Sequence, residues 1–339
     1  MRWLPGRMNG LVSVVFPVGP GVANAGLALD DLLGQTHEEL EIVAVLNGCP
    51  EGVREDLLDR SDGRLQVFDL GAAGRLLDAL DLAVRESRGH WLARMDADDR
   101  CGADRLARQV SRLAQGDIDV VSCGISLKES LGEGMARYVD WVNGLDTPAK
   151  VARERFVESP VVQPTVMMPR SLFLEAGGYL RNGFAEDYDL WLRLLGRGAR
   201  FGKVTDLLYD WHDREDRLTR SDPRFGQKAM LALKADALAS LHEVRKRGVA
   251  IAGAGPIGKV LGRELKKRKT ELHGYFEVNP KRVGSVCQEA PIAGPGDFGK
   301  RWREAVLLGA VGVGGGRAKV RNLALEAGYC EGRDFWSCC

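Results

Sequence analysis

The feature that most constrains this chain is a strand–helix alternation that begins at Gly10. "GLVSVVFPV", Gly10 to Val18, is a short apolar, β-branched run bounded by glycine and proline. Such a run reads as a strand buried on both faces of a parallel sheet. "ANAGLALDDLLGQ" follows, with Leu27, Leu29, Leu32 and Leu33 at helical spacing. "LEIVAVLNG", "LQVFDLG" and "HWLARMDADD" read as three further strands, separated by the helical stretches "EGVREDLLDR" and "GRLLDALDLAVRESRG". Gly89 is the expected C-cap of the latter. Alternation of this kind predicts an α/β fold, a mainly parallel sheet flanked by helices.

Sheets of this class bind ligands at the carboxyl ends of their strands. Pro17 and Val18, Asn47 and Gly48, Asp69, and Asp96 to Asp99 all fall there. Asp96, Asp98 and Asp99 place three carboxylates within four residues. Like charges that close repel, so the cluster calls for a positive partner. Carboxylates two apart on an extended segment point the same way. Their hard oxygens suit Mg²⁺ or Mn²⁺, which keep several waters and bind substrate phosphates. The alternative is a solvated turn that caps the next helix. Further on, "AEDYDLWLRLLGRG" reads as a helix that starts on Glu186, Asp187 and Asp189 and stops at Gly198. An acidic helix start either compensates the helix dipole or supplies a general base for a hydroxyl group.

A length of 339 residues is a prior for two domains. The net charge of +1, from 48 basic and 47 acidic residues, gives no electrostatic reason to expect nucleic acid as a partner. No apolar run approaches the roughly 20 residues of a membrane span, and "MRWLPGRMNG" lacks the apolar core of a signal peptide. The expected location is cytoplasmic, with peripheral membrane contact and a homo-oligomer left open. None of the seven cysteines forms a CxxC pair, which argues against a zinc site or a disulfide framework. The Cys338–Cys339 end is not a CaaX box and reads as a frayed tail.

Taken in order, "VSVVFPV", "LLGQTHEELEIVAVLNG", "ARMDADDRCGADRLARQV", "PTVMMPRSLFLEAGGY" and "AEDYDLWLRLL" resemble the inverting glycosyltransferases of family 2, which have the GT-A fold. The resemblance covers about residues 10–215. It implies transfer of a sugar from a nucleotide diphosphate, UDP-type first, to an acceptor hydroxyl on a glycan, lipid-linked or protein acceptor, with Mn²⁺ or Mg²⁺ as cofactor. Bacterial surface polysaccharide or glycoconjugate synthesis is the implied setting. Asp98 matches the direct metal ligand of the DxD motif, and Asp96 its partner near the ribose. Asp187 matches the base, with Glu186 beside it shaping substrate contacts. Pro17, Val18 and Asn47 match the strand ends that hold the nucleoside. His212 is a candidate for the metal or diphosphate, and Arg217 or Arg220 could instead face the diphosphate. Arg94 is expected to be a structural partner of the acids rather than a phosphate contact. Two departures stand out: "PVGP" puts Gly19 where the family often has a tyrosine, and "LNGC" puts Asn47 where an aspartate often reads uracil. Asparagine both donates and accepts, so it can still read a base edge.

"SDPRFGQKAMLALKADALASLHEVRKRG" reads as one long helix after Pro223, a connector over residues 222–247 between a GT-A domain at 10–221 and a second α/β domain at 248–339. There "VAIAGAGPIGKVL" carries Gly253, Gly255 and Gly258, a GxGxxG between strand and helix, with Glu277 following at the end of "HGYFEV". That is a dinucleotide-binding fingerprint in its expected context. The stretch resembles the Rossmann-like domains attached to sugar-modifying enzymes, which often bind a nucleotide or nucleotide sugar without redox chemistry. A ligand-binding regulatory module and a structural module both fit. Two other readings compete with the transferase: an NAD(P)-dependent oxidoreductase or epimerase centred on the GxGxxG, and a non-catalytic nucleotide-sugar-binding protein.

Overall fold

The computed structural model describes residues 10–72, 74–128, 132–180, 183–215 and 218–339. Its first sheet contains β1 (Val12–Val18), β2 (Leu40–Leu46), β3 (Leu65–Asp69), β4 (Trp91–Arg94), β5 (Arg100–Cys101), β6 (Val120–Lys128), β7 (Met167–Pro169) and β8 (Phe201–His212). They lie in the order β3-β2-β1-β4-β7-β6-β8-β5. β1 is buried along its whole length and pairs in parallel with β2 and β4. β3 extends the parallel set beyond β2, whereas β7 runs antiparallel to β4 and β6. The four N-terminal strands form where the alternation placed them. Val12, Val14, Phe16 and Val18 share a core with Ala28, Leu29 and Leu32 of the helix Gly26–Leu33. Each fully buried aliphatic side chain of this kind contributes about 1.5–3 kcal/mol.

Three local expectations need correction. β4 ends at Arg94, so the carboxylates sit in a turn and not on an extended strand. Gly89 is not a helix cap. The helix Leu76–Glu86 ends when Ser87 turns extended, and Ser87 Oγ donates to the Ala83 carbonyl at 2.7 Å. Gly89 instead lies against β1: its N–H donates to Ser13 Oγ at 2.8 Å, and a Cβ there would stand 2.5 Å from that oxygen. The long helix after Pro223 is broken in two, Gln227–Ser240 and His242–Arg247, because Leu241 adopts an extended conformation.

Contacts divide the chain into two units. One holds residues up to Val151, with 161–182 and 197–221. The other holds 152–160, 183–196 and 222–339, so two segments inside the 10–221 span group with the C-terminal part. The sheet of this second unit comprises β9 (Val249–Ala252), β10 (Leu272–Phe276), β11 (Val286–Cys287), β12 (Ala290–Ala293), β13 (Val306–Gly309) and β14 (Phe335–Ser337), in the order β11-β12-β10-β9-β13-β14. Five of these strands are parallel, and only β11 is antiparallel. The parallel core, counted from β9, has the 3-2-1-4-5 arrangement of Rossmann-like sheets.

The C-terminal end is not frayed. Phe335 and Trp336 are buried in β14, and Cys338 N–H donates to the Gly309 carbonyl at 2.8 Å. Burial pushes the Cys338 thiol pKa far up, so it is an inert core group. The glycine motif has a packing reason. Gly253 holds φ at +113°, and a Cβ on Gly258 would stand 1.9 Å from the Gly253 carbonyl oxygen. Gly258→Ala should therefore destabilise the second unit by about 1–3 kcal/mol or more. Thermal unfolding should show a lower midpoint, and an unchanged midpoint would contradict this packing.

Candidate active site

The turn after β4 concentrates negative charge, and the surrounding sheet supplies donors for it. Arg94, 5% exposed, donates through Nη2 to Asp96 Oδ1 at 2.7 Å and through Nη1 to the Met95 carbonyl. Burial alone would lower the Arg94 pKa, but the Asp96 charge and hydrogen bond, with Tyr179 and Tyr209 nearby, together more than offset it, so the guanidinium stays protonated. Arg94 thus touches Asp96, as a structural partner of the acids would. Asp99 is 1% exposed and accepts from the Tyr209 hydroxyl and the His212 backbone N–H, each at 2.8 Å. Burial, with Asp99 and Asp96 nearby, pushes the Tyr209 pKa well up, so its proton stays on the hydroxyl as a donor. Arg214 Nη1 lies 3.4 Å from Asp98 Oδ2.

One carboxylate oxygen from each of Asp96, Asp98 and Asp99 lies within 4.8 Å of the others. Opposed ligands of a Mg²⁺-sized octahedron are about 4.2 Å apart, so the oxygens need only a small adjustment to share a divalent cation. Asp96 and Asp98 are partly exposed, and Asp99 is buried behind them. The His212 imidazole Nδ1 is 3.8 Å from Asp99 Oδ1, beside this group.

Pro17 and Val18 are buried at the end of β1. Asn47 follows β2, with its N–H donating to the Val18 carbonyl at 3.0 Å. Its side chain is 4% exposed, and its Oδ1 is buried with no partner among the described residues. A buried acceptor left unmatched is costly. Gly19 keeps the space beside it clear, since a Cβ there would lie 3.6 Å from Asn47 Nδ2. Arg220 Nη2 donates to both carboxylate oxygens of the buried Asp213, each at 2.7 Å, so it is engaged within the protein. Arg217 lies outside the described residues.

Glu186 and Asp187 open the helix Glu186–Gly196 in the second unit. Glu186 is 2% exposed and accepts from Arg224 Nη1 at 2.8 Å. Arg224 also binds Asp222. Asp187 Oδ1 is buried with no hydrogen-bond partner among the described residues. Burial first, then the neighbouring Glu186 and Glu158, pushes the Asp187 pKa up to about 7. Two adjacent carboxylates thus have unequal surroundings: Glu186 is paired with an arginine, and the Asp187 pKa is raised. The sequence reading missed Arg224, Tyr209 and Arg214 because no local pattern pairs them with acids far away in the chain.

At the glycine-rich edge of the second sheet, Gly255 precedes the helix Pro256–Lys267, and nothing lies within 4 Å of its would-be Cβ. Glu277, just past β10, accepts from the Val278 and Asn279 N–H groups and pairs with Arg282 at 3.3 Å.

Residues 14–175 match the family model described as Glycosyl transferase family 2. The O-antigen biosynthesis glycosyltransferase WbnJ of Escherichia coli is 28% identical over 248 residues, spanning 71% of this chain and 91% of its own length. The putative glycosyltransferase EpsE of Bacillus subtilis strain 168 is 24% identical over 216 residues, 62% of this chain and 75% of its own. Among solved structures, S. aureus TarS 1–349 in complex with UDP-GlcNAc has the same fold at a TM-score of 0.54 and 16% identity, covering 76% of this chain and 72% of that one. The family match over residues 14–175, the relatives and the fold agree, and the chain is a glycosyltransferase.

Proposed function

We propose that this protein is a metal-dependent, inverting glycosyltransferase that moves a sugar from a nucleotide diphosphate, UDP-type first, to an acceptor hydroxyl. The observation that carries the reading is Asp187, a carboxylate with a buried, unpartnered oxygen and a pKa raised to about 7. A general base works best when its pKa lies near the working pH. Asp98 and Asp96 are the proposed cation ligands, with Asp99 and His212 behind them. A divalent cation held there would offset the charge that develops on the leaving diphosphate. Asn47 presents its free amide oxygen to the base or ribose of the donor, with Pro17 and Val18 as the floor.

In the proposed step, Asp187 takes the proton of the acceptor hydroxyl. The oxygen forms a bond to the anomeric carbon from the face opposite the diphosphate. The bond from that carbon to the diphosphate oxygen breaks, and the electron pair leaves with the nucleotide. Glu186 is held beside Asp187 by Arg224.

WbnJ is named for O-antigen biosynthesis, and an acceptor in surface polysaccharide assembly on the cytoplasmic side is proposed here by analogy. No described helix is long and apolar enough to cross a membrane. The open helix start at Gly255, with Gly253 and Gly258 shaping it and Glu277 at the next strand end, is proposed to take a nucleotide or nucleotide sugar.

Calorimetric titration with a panel of sugar nucleotides and NAD(H), with and without Mn²⁺, tests the donor site. Manganese-dependent binding of one sugar nucleotide, lost in Asp98→Asn, is expected. Metal-independent binding of NAD(H) alone would overturn the reading. Asp187→Asn should cut turnover by about 10²–10⁴-fold while donor affinity is kept. An unaltered rate would remove Asp187 as the base.

The pH profile gives an independent check. A base with a raised pKa is active only once deprotonated, so kcat/KM should fall as pH drops through about 7. Arg224→Met removes the charge that offsets Glu186, and the acid limb should move to higher pH. A limb left in place would show that Arg224 does not tune the pair.

A further inference from the structure

Segment 152–160 is anchored more heavily than a connecting loop requires. Glu154, 3% exposed, accepts from Arg321 Nη2 at 2.7 Å, and Arg321 also donates to Glu331 at 2.8 Å. The Phe156 ring meets Trp336 of β14 edge-on, with centroids 5.2 Å apart. The Arg155 guanidinium lies 4.2 Å from the Trp336 ring centre. Lys234, in the helix Gln227–Ser240, is only 4% exposed. Its ammonium donates to the Val157 carbonyl at 2.8 Å and to the Cys338 carbonyl at 3.3 Å. No carboxylate among the described residues pairs with it. A buried ammonium is costly unless it is well bonded, and this one is bonded to two separate pieces of backbone.

The same segment also holds the helix that carries Asp187. The Tyr188 side chain is fully buried, and its hydroxyl donates to the Arg155 carbonyl at 2.6 Å. Glu158, next to Val157, is close enough to act electrostatically on Asp187. A continuous set of contacts therefore runs from the last strand through Lys234 to segment 152–160, and from there through Tyr188 to the residue beside it. Every group named belongs to the second unit.

We propose that Lys234 is a positioning residue for Asp187: it clasps segment 152–160 to the C-terminal strand, and the Arg155 carbonyl and Tyr188 hydroxyl pass that restraint to the start of the base helix. The Rossmann-like unit is then a working part of the transferase whether or not it takes a ligand of its own. The proposal rests on Asp187 being the base, and the test separates the two.

Lys234→Met keeps the aliphatic stem and removes the ammonium. Turnover is measured as nucleotide release, with water as acceptor, from the sugar nucleotide that binds in the calorimetric panel. The expected result is a loss in kcat of about tenfold with donor KM unchanged, since small misplacement of a reacting group costs that much or more. In an Asp187→Asn background the same change should cost nothing further, because the clasp acts only through Asp187. Arg321→Gln, which loosens the other anchor of the segment, should behave alike and serves if Lys234→Met does not fold. Hydrogen exchange should quicken at residues 155–159 and 186–190 and stay as it was in β1. Full kcat in a folded Lys234→Met or Arg321→Gln, or a loss that multiplies with that of Asp187→Asn, would overturn the proposal. Full activity of Asp187→Asn alone would instead overturn the base assignment and, with it, this role.

Discussion

Three carboxylates within four residues cannot share a turn unless something keeps their charges apart, and the first sheet is arranged around that constraint. Arg94 lies buried under Asp96, and Tyr209 and the His212 N–H hold Asp99. Arg214 stands near Asp98. Three of these four partners come from β8 or the residues just after it, a strand about 110 positions from the acids they serve. The long pairing of β6 with β8 is what brings them there. With Asp99 satisfied inside the protein, Asp96 and Asp98 are the outward members of the group, the ones that the proposed function gives to a divalent cation.

The second acidic pair is handled by the opposite device. Among the described residues, one arginine pairs with one of the two carboxylates there. Arg224 takes Glu186, and Asp187 is left with burial and two like charges raising its pKa. Burial that would be a defect in a structural aspartate suits the proposed base, which would gain a proton and then lose it near neutral pH.

Much of this was legible in the residues. The alternation from Gly10 to Arg94 placed four parallel strands, since β-branched runs buried on both faces leave little ambiguity. The acids at 96–99 and 186–187 stood out because charge density at an element's end is a local signal. What escaped was non-local or broken in pattern. β8 has exposed Thr205, Asp206 and Leu207 in its middle, where the ladder with β6 shifts register around Gly124. A Cβ on Gly124 would stand 2.7 Å from the Asp206 carbonyl oxygen, so the bulge needs that glycine, and the two-residue period is lost there. The helix break at Leu241 carries no glycine or proline to announce it. The last strand is three residues long and follows turn-like sequence, so only its pairing with β13 identifies it.

The account depends on a single displacement: one base, one donor held by its diphosphate, and no covalent sugar–enzyme intermediate. The most direct test is the anomeric configuration of the sugar first released from an α-linked sugar nucleotide, read by proton NMR before mutarotation. The β-anomer as first product is the result this account predicts. The α-anomer would mean retention, and neither the role given to Asp187 nor the in-line attack would stand.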